Sequence, residues 1–387
     1  MVIKILKASL MVFLYLFLAL AAGELYARIK HGKVLSFQST ELAYRTADFD
    51  IHHALVPGAE GFSVTREWKV PYFVNSLGLR DREYSEEKIP GSFRILMMGD
   101  SFVEGYGVNI EDTFVKILEN MLANEYSDKK FEVINCGIAS YSPLLEYLFL
   151  VNKGLRLRAD MVILFYDFGD LKDDYEYERT TFFNEEGLPL KSLPYKRIRA
   201  HGNNFFERFL IRHSRYYLYV ENRINSKIFK KKVSKKFKDF PEKPGVERYI
   251  AFREGRGDTI QDLWAKNEKY LDMIYRLLAE NGIDLVIVSY PYPIQVNGQE
   301  WAEGRVLDGF EEGVVYEEPI VVKYLEDFSK VRNIPFLNLC DRFKESEDYP
   351  LYYSFDGHFT EKGHKLVANG LFEYLLQEDL FAKKTDL

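Results

Sequence analysis

From Gly91 onward, short apolar segments alternate along the chain with amphipathic stretches whose apolar residues recur at helical spacing. This alternation is typical of right-handed β-α-β units and of a parallel sheet. It predicts strands at Phe93 to Met98, Phe131 to Asn135, Met161 to Tyr166, Asp284 to Tyr290 and Pro335 to Leu339. It predicts helices at about Thr113 to Tyr126, Pro143 to Gly154, Asp262 to Asn281, Glu318 to Arg332 and Glu361 to Gln377.

The first of these strands leads directly to a serine. Its apolar run is broken by Gly99-Asp100-Ser101-Phe102, which places Ser101 at the carboxyl end of a buried strand, where ligands bind in open α/β sheets. A serine in such a turn is more often a helix cap than a nucleophile. A serine nucleophile also needs a base that takes its proton. The late stretch Asp356-Gly357-His358 provides one, so the pair predicts Ser101 as nucleophile, His358 as base and Asp356 as the group that fixes the imidazole tautomer.

Composition excludes several other classes of protein. The net charge of −7 argues against a nucleic-acid partner, because such binding needs a positive field. The two cysteines lack the clustered spacing of a zinc site. His52 and His53 are adjacent but have no nearby third ligand, so we expect no metal or other cofactor. Asp50-Ile51-His52 also has Asp-x-His spacing, but it precedes the serine, and we expect it and His364 to be structural.

The N-terminal segment is apolar. An uncharged run from Ala8 to Gly23 follows Lys4 and Lys7, and apolar residues at both of its ends extend it toward the ~20 residues that span a bilayer. We expect residues 1–30 to form a retained signal anchor, with the catalytic domain outside the cytoplasm, in the periplasm or at the cell surface. Cleavage near Ala19-Leu20-Ala21 remains the alternative.

Two further regions flank and interrupt the alternating pattern. Residues 31–90 contain no periodic segment long enough to form a hydrophobic core of their own. We expect them to pack as an extension on the catalytic domain, which comprises residues 91–174 and 260–380. Residues 175–259 form an insertion next to the third strand, and a lid over the cleft is the natural interpretation. The insertion holds a helical aromatic stripe and the basic run KIFKKKVSKKFK, either a helix on an anionic membrane surface or a solvated lid helix.

Three short blocks of this chain resemble the SGNH (GDSL-type) hydrolase family: Gly99-Asp100-Ser101-Phe102, Asn135-Cys136-Gly137-Ile138-Ala139 and Asp356-Gly357-His358. The stretch VNSLGLRDRE, Val74 to Glu83, resembles a bacterial membrane-associated branch of that family. The similar regions cover roughly two thirds of the chain. The resemblance implies an α/β fold with a three-layer, flavodoxin-like parallel sheet in the order 2-1-3-4-5. That order puts Cys136 and Cys340 at opposite edges, too far apart to be bridged.

The family's remaining block departs from the pattern. Family members carry an Asn there, whereas this chain has Gly169 within Tyr166-Asp167-Phe168-Gly169-Asp170-Leu171. By resemblance, the oxyanion donors would be the N–H groups of Ser101 and Gly137 together with the Asn side chain, which Gly169 cannot supply. We therefore expect a donor from elsewhere, such as the insertion, or a gain in rate when Gly169 is replaced by Asn. Asp167 and Asp170 would hold the loop.

The sequence thus predicts a membrane-associated serine ester hydrolase that acts on an acyl ester, and the family suggests an ester carried by a carbohydrate. Two alternatives stay open. An O-acyltransferase would use the same acyl-enzyme with a sugar hydroxyl in place of water. A non-catalytic carbohydrate-binding protein would have a degenerate site, which the missing Asn favours and the retained Ser101, Asp356 and His358 oppose.

Overall fold

A computed structural model describes residues 2–41, 44–65, 67–194, 214, 216–217, 220 and 246–381. The basic run from Lys227 to Lys238 and most of the aromatic stripe lie outside these residues. The chain begins with helix α1 (Val2–Glu41), followed by two antiparallel hairpins. The hairpin strands are β1 (Arg45–Asp48), β2 (His52–Leu55), β3 (Glu60–Val64) and β4 (Lys69–Phe73).

The remaining strands form the central sheet and a third hairpin. They are β5 (Ser92–Met98), β6 (Lys130–Asn135), β7 (Met161–Tyr166), β8 (Thr181–Phe183), β9 (Pro189–Ser192), β10 (Asp284–Ser289) and β11 (Phe336–Asn338). The central sheet has five parallel strands in the order β6-β5-β7-β10-β11. This is the predicted order 2-1-3-4-5, so the fold class is confirmed, and each predicted strand is found within one residue of its predicted ends.

The later helices alternate with these strands. They are α2 (Ser101–Glu104), α3 (Phe114–Glu125), α4 (Pro143–Asn152), α5 (Asp170–Glu178), α6 (Gly257–Glu280), α7 (Pro293–Val296), α8 (Ala302–Leu307), α9 (Ile320–Arg332), α10 (Cys340–Lys344) and α11 (Glu361–Gln377). The five predicted helices are present. The largest difference is at α6, which begins at Gly257 and not at Asp262.

Side chains alternate between two cores, one on each face of the sheet. On β5, Leu96 and Met98 belong to one core, and Ile95 and Met97 belong to the other. Strand β7 is buried along its whole length, as expected for a central parallel strand covered on both faces. The result is a three-layer α/β arrangement whose strand ends at the carboxyl edge remain available for a site.

The extension shares a core with the sheet. Tyr44, Ile51 and Tyr72 are buried in the same cluster as Leu96. The hairpin β8–β9 joins the extension through the Ser192 N–H, which donates to the Asp50 carbonyl at 2.9 Å. Helix α5 runs through position 175, so the predicted start of the insertion falls inside a regular helix.

Helix α1 contains the 21-residue stretch Ser9–Ile29, which is long and apolar enough to cross a membrane. Near its end, the Glu24 carboxylate accepts hydrogen bonds from Ser214 Oγ at 2.9 Å and from the Tyr216 N–H at 3.0 Å. The insertion therefore contacts helix α1 inside the apolar stretch, five residues before its end at Ile29.

Candidate active site

The serine loop lies at the carboxyl end of β5. Gly99 has a φ of +153°, and a Cβ there would lie 2.5 Å from Val103 Cγ2 and 3.1 Å from the Phe165 carbonyl oxygen, so only glycine fits. The chain then turns directly into α2, where the Asp100 carboxylate accepts the Phe102 N–H at 2.9 Å. The cap function thus belongs to Asp100, which leaves the Ser101 side chain free for another contact.

That contact is with the predicted base. Ser101 Oγ lies 2.7 Å from His358 Nε2, and His358 Nδ1 is hydrogen-bonded to Asp356 Oδ1. The imidazole ring packs between Phe102 and Tyr106, with ring centroids 4.7 and 5.1 Å away. The structure therefore brings together Ser101, His358 and Asp356 in the linear order that serine acyl transfer needs.

The electrostatics of the pair favour a basic imidazole. Burial by itself would lower the pKa of His358, but the charge and hydrogen bond of Asp356 outweigh burial and raise that pKa above its usual value. Burial likewise opposes ionisation of Asp356, yet His358 holds the pKa of this carboxyl below its usual value. Asp356 is thus an anion that stabilises the imidazolium formed when Ser101 loses its proton.

Hydrogen bonds from the extension stabilise the serine loop. Glu104, in α2, is fully buried and accepts hydrogen bonds from Arg45 Nη2 at 2.7 Å and from the Ala139 N–H at 2.7 Å, as well as from the Tyr72 hydroxyl. Arg80 donates to the carbonyls of Glu104 and, at 2.7 Å, of Val108. These bonds fix α2, and with it Ser101, to the extension.

The extension also holds the histidine loop. The Glu67 carboxylate accepts the backbone N–H groups of Phe355 at 2.9 Å and Asp356 at 2.8 Å. Trp68 packs against Tyr353, with ring centroids 4.7 Å apart. Residues of the extension, which precedes the serine block in the sequence, therefore orient both halves of the site.

The expected oxyanion donors differ in their availability. The hydrogen bonds of the described residues leave the Ser101 N–H without an acceptor. The Gly137 N–H, by contrast, donates to Asn135 Oδ1 at 3.0 Å. In this geometry the Gly137 N–H already has an acceptor within its own loop, and its role as an oxyanion donor stays a prediction.

Gly169 is placed as expected, after β7, but the space around it is filled. Its N–H donates to Asp167 Oδ1 at 2.6 Å and to the Tyr292 hydroxyl at 3.2 Å. A Cβ at position 169 would lie 2.6 Å from Asp167 Oδ1 and 3.6 Å from Arg248 Cγ. An Asn at this position would need the Asp167 carboxylate to move.

Acidic side chains hold this loop, as the sequence predicts. The hydroxyls of Tyr290 and Tyr292 donate to Asp167 at 2.9 and 2.5 Å. Burial, and next the charge of Asp167, raises the pKa of Asp100 to about 7, while the cation of Arg248 opposes the rise. Burial, followed by the charge of Asp167, likewise raises the pKa of Asp170 well above its usual range.

A small cavity opens onto the catalytic residues. Its lining is formed by Phe102, Arg248, Tyr249, Tyr292, Pro293, Trp301, Asp356, Gly357 and His358. Arg248 comes from the end of the insertion and is exposed to solvent. Tyr290 and Tyr292 are absent from the residues that the sequence predicts for the site, although their position directly after a strand at the carboxyl edge could have indicated them. No local motif marks Arg248.

Three other histidines, His52, His53 and His364, are buried and hydrogen-bonded. His52 Nδ1 lies 2.8 Å from His53 Nδ1, and His53 Nε2 lies 2.8 Å from the Ala139 carbonyl oxygen. His364 is buried in α11, where its Nδ1 accepts the Phe114 N–H at 3.3 Å. No group of three metal-ligating side chains occurs among the described residues, and Cys136 and Cys340 are buried free thiols.

Among known proteins, only solved structures are similar to this chain. No family model and no curated protein matches the chain. An acetylxylan esterase from Geobacillus stearothermophilus, solved as a catalytic mutant, aligns with 75% of this chain and 96% of its own, at 12% identity and a TM-score of 0.40. The acetyl xylan esterase AlAXEase aligns over 73% and 98%, at 13% identity and a TM-score of 0.38.

A two-domain esterase active on acetylated mannans aligns with 74% of this chain and 49% of its own, at 10% identity and a TM-score of 0.35. Because these superpositions are poor overall, the sheet topology and the geometry of the site carry the functional assignment.

Proposed function

We propose that this protein is a serine ester hydrolase of the SGNH type that works through an acyl-enzyme on Ser101. The observation that carries the proposal is the hydrogen-bonded series Ser101, His358, Asp356 at the carboxyl end of the first sheet strand. A serine used only as a helix cap would not need a histidine at 2.7 Å from its oxygen, and here the cap is Asp100.

In the first step, Ser101 Oγ forms a bond to the ester carbonyl carbon while its proton passes to His358 Nε2. The carbonyl π electrons move to the oxygen and form an oxyanion, to which the Ser101 N–H can donate. Collapse of this intermediate breaks the bond to the alcohol oxygen, which takes the proton from His358. Water then attacks the acyl carbon by the same route, releasing the acid and restoring Ser101.

The proposed setting is the outer face of a membrane. The apolar stretch Ser9–Ile29 would anchor the chain, with the catalytic domain outside the cytoplasm. We further propose that the substrate is an acyl, and in particular acetyl, ester on an envelope or exported carbohydrate. Support for this finer assignment comes from the family resemblance and from the anchor helix.

Covalent labelling tests the proposal. Detergent-solubilised full-length protein should react with a fluorophosphonate probe, because the probe traps an activated serine. The variants Ser101→Ala and His358→Ala should not label, whereas Ser127→Ala, which removes an exposed serine, should label as wild type does. Equal labelling of all four folded proteins would remove the mechanism. Product analysis with and without an acceptor glycan then separates hydrolysis from acyl transfer.

A further inference from the structure

The proposed site is short of donors for the oxyanion. Gly169 has no side chain to offer, and the Gly137 N–H is bonded to Asn135 Oδ1 at 3.0 Å. This leaves the Ser101 N–H as the one family-type donor without an acceptor among the described residues. Removing a single donor typically costs about 10²- to 10³-fold in kcat, so an active enzyme with this loop needs another group, roughly as effective, in the same place.

Arg248 lies where that group is needed. Its Cγ is 3.6 Å from the point that a Cβ at position 169 would occupy, so its side chain passes through the space next to the absent Asn. It lines the same cavity as Phe102 and His358. The Arg248 charge also opposes the rise in the pKa of Asp100 and favours lower pKa values for Asp356 and His358.

The guanidinium of Arg248 is not used elsewhere in the described chain. It makes no hydrogen bond or ion pair with a described residue. Its Cζ atom lies over the Tyr249 ring, 5.9 Å from the ring centroid. Arg253, only five positions later, shows the contrast, because it bonds to Glu247 at 2.8 Å and to the Asp308 carbonyl at 3.1 Å. No acceptor among the described residues therefore takes the five N–H donors of Arg248.

Asp167 does not neutralise this cation by direct contact. Its two carboxylate oxygens accept hydrogen bonds from Tyr290, Tyr292 and the Gly169 N–H. The acid thus holds the loop and keeps a negative field near Arg248 without occupying the guanidinium. Arg248 is exposed and has no hydrogen-bond partner among the described residues. Its N–H groups can therefore donate to an oxygen of the ligand.

We propose that Arg248 supplies the missing oxyanion donor, in place of the family's Asn. The inference rests on the proposed hydrolase function. As Ser101 Oγ bonds to the carbonyl carbon and its proton moves to His358, negative charge develops on the carbonyl oxygen. Arg248 donates an N–H to that oxygen and stays protonated throughout, because a guanidinium does not release its proton in this pH range. A charged donor is stronger than the amide it replaces.

The test uses Arg248→Met, Arg248→Lys and the control Arg256→Met, which removes an exposed arginine from the same segment. The substrate is p-nitrophenyl acetate, which is uncharged. Arg248→Met should lose about 10²- to 10³-fold in kcat with little change in KM, because the interaction is made in the transition state. Arg248→Lys should retain part of the rate, Arg256→Met should match wild type, and added guanidinium should partly restore Arg248→Met.

A second substrate separates this role from binding of an anionic group. If Arg248 instead held a carboxylate of the substrate, Arg248→Met would hydrolyse the neutral ester like wild type and show a raised KM for p-nitrophenyl hemisuccinate alone. That result would overturn the inference. Should Arg248→Met fail to fold, a wild-type kcat in a folded Arg248→Lys variant that guanidinium does not accelerate would overturn it as well.

Fluorophosphonate labelling of Ser101 in the wild type distinguishes the two proposals. If the wild type neither labels nor turns over ester, the hydrolase function itself fails. If it labels and turns over, and Arg248→Met is equally fast, the assignment of Arg248 alone fails.

Discussion

The extension and the insertion both reach the catalytic residues, but they do so in opposite ways. From the extension, Arg45 and Tyr72 bond to a carboxylate beneath the serine, and Glu67 accepts two N–H groups of the histidine loop. From the insertion, Arg248 enters the cleft exposed and without a hydrogen-bond partner in the described chain. The difference suggests a division of labour in which one region fixes geometry and the other contributes an adaptable group for the reaction.

The largest expected effect tests the structural half of this comparison. Arg45 forms a buried ion pair with Glu104, whose side chain is fully buried. Arg45→Met leaves that carboxylate without its cation and should lower the free energy of unfolding by about 3–5 kcal/mol. The matched change in the insertion region, Arg253→Met, breaks a pair with the exposed Glu247 and should cost about 0–1 kcal/mol. Urea unfolding measures both, and similar costs would contradict the proposed division.

A smaller loss is expected when the family's side chain is restored. Gly169→Asn forces a Cβ to within 2.6 Å of Asp167 Oδ1 and toward Arg248, so it should lower the free energy of unfolding by about 1–3 kcal/mol. It should also lower kcat, because the new side chain competes with Arg248 for the same space. Thermal unfolding and ester turnover measure the two effects. A stable and faster variant would restore the expectation drawn from the sequence and remove the need for Arg248.

The contrast between these loops also explains what the sequence could predict. Strands such as Met161–Tyr166 lie at their predicted ends because their burial is encoded in a continuous apolar run. Ser101 could be predicted because it follows a strand at the carboxyl edge of a parallel sheet. His358 could be predicted because a serine nucleophile needs a base, which the late Asp-x-His stretch supplies. None of these rules reaches Arg248, whose position depends on how side chains from separate loops share one space. Nor does any of them reach the bond between Gly137 and Asn135, which depends on the conformation of one short loop.

A modest effect is expected from loosening the histidine loop. Glu67→Gln keeps the shape of the side chain but removes the charge that strengthens its bonds to the N–H groups of Phe355 and Asp356. Since charge-assisted hydrogen bonds are worth about 1.5–3 kcal/mol, losing part of that energy should lower kcat/KM by about tenfold through misplacement of the Asp356 carboxylate. Ester kinetics should show this loss with fluorophosphonate labelling slowed in parallel. Unchanged kinetics would mean that Asp356 is held by its own loop.

The smallest expected effect is a shift in the pH dependence of kcat/KM. The direction of this shift tests whether the Arg248 charge, from the insertion, acts on His358. His358 is active as a base when neutral, so kcat/KM should rise with pH through the pKa of His358, which Asp356 raises above the usual value against the effect of burial. The cation of Arg248 works against the imidazolium and holds that pKa down. Arg248→Met should therefore move the acid limb of the profile to higher pH.

A cation of the extension provides the control for this shift. Arg82 is exposed and paired with Glu119, and it is not among the groups that act on His358. Arg82→Met should leave the acid limb in place, because charges that face solvent are screened over about 8–10 Å at ordinary ionic strength. An acid limb that moves equally in both variants, or that moves to lower pH without Arg248, would place the guanidinium away from the catalytic histidine.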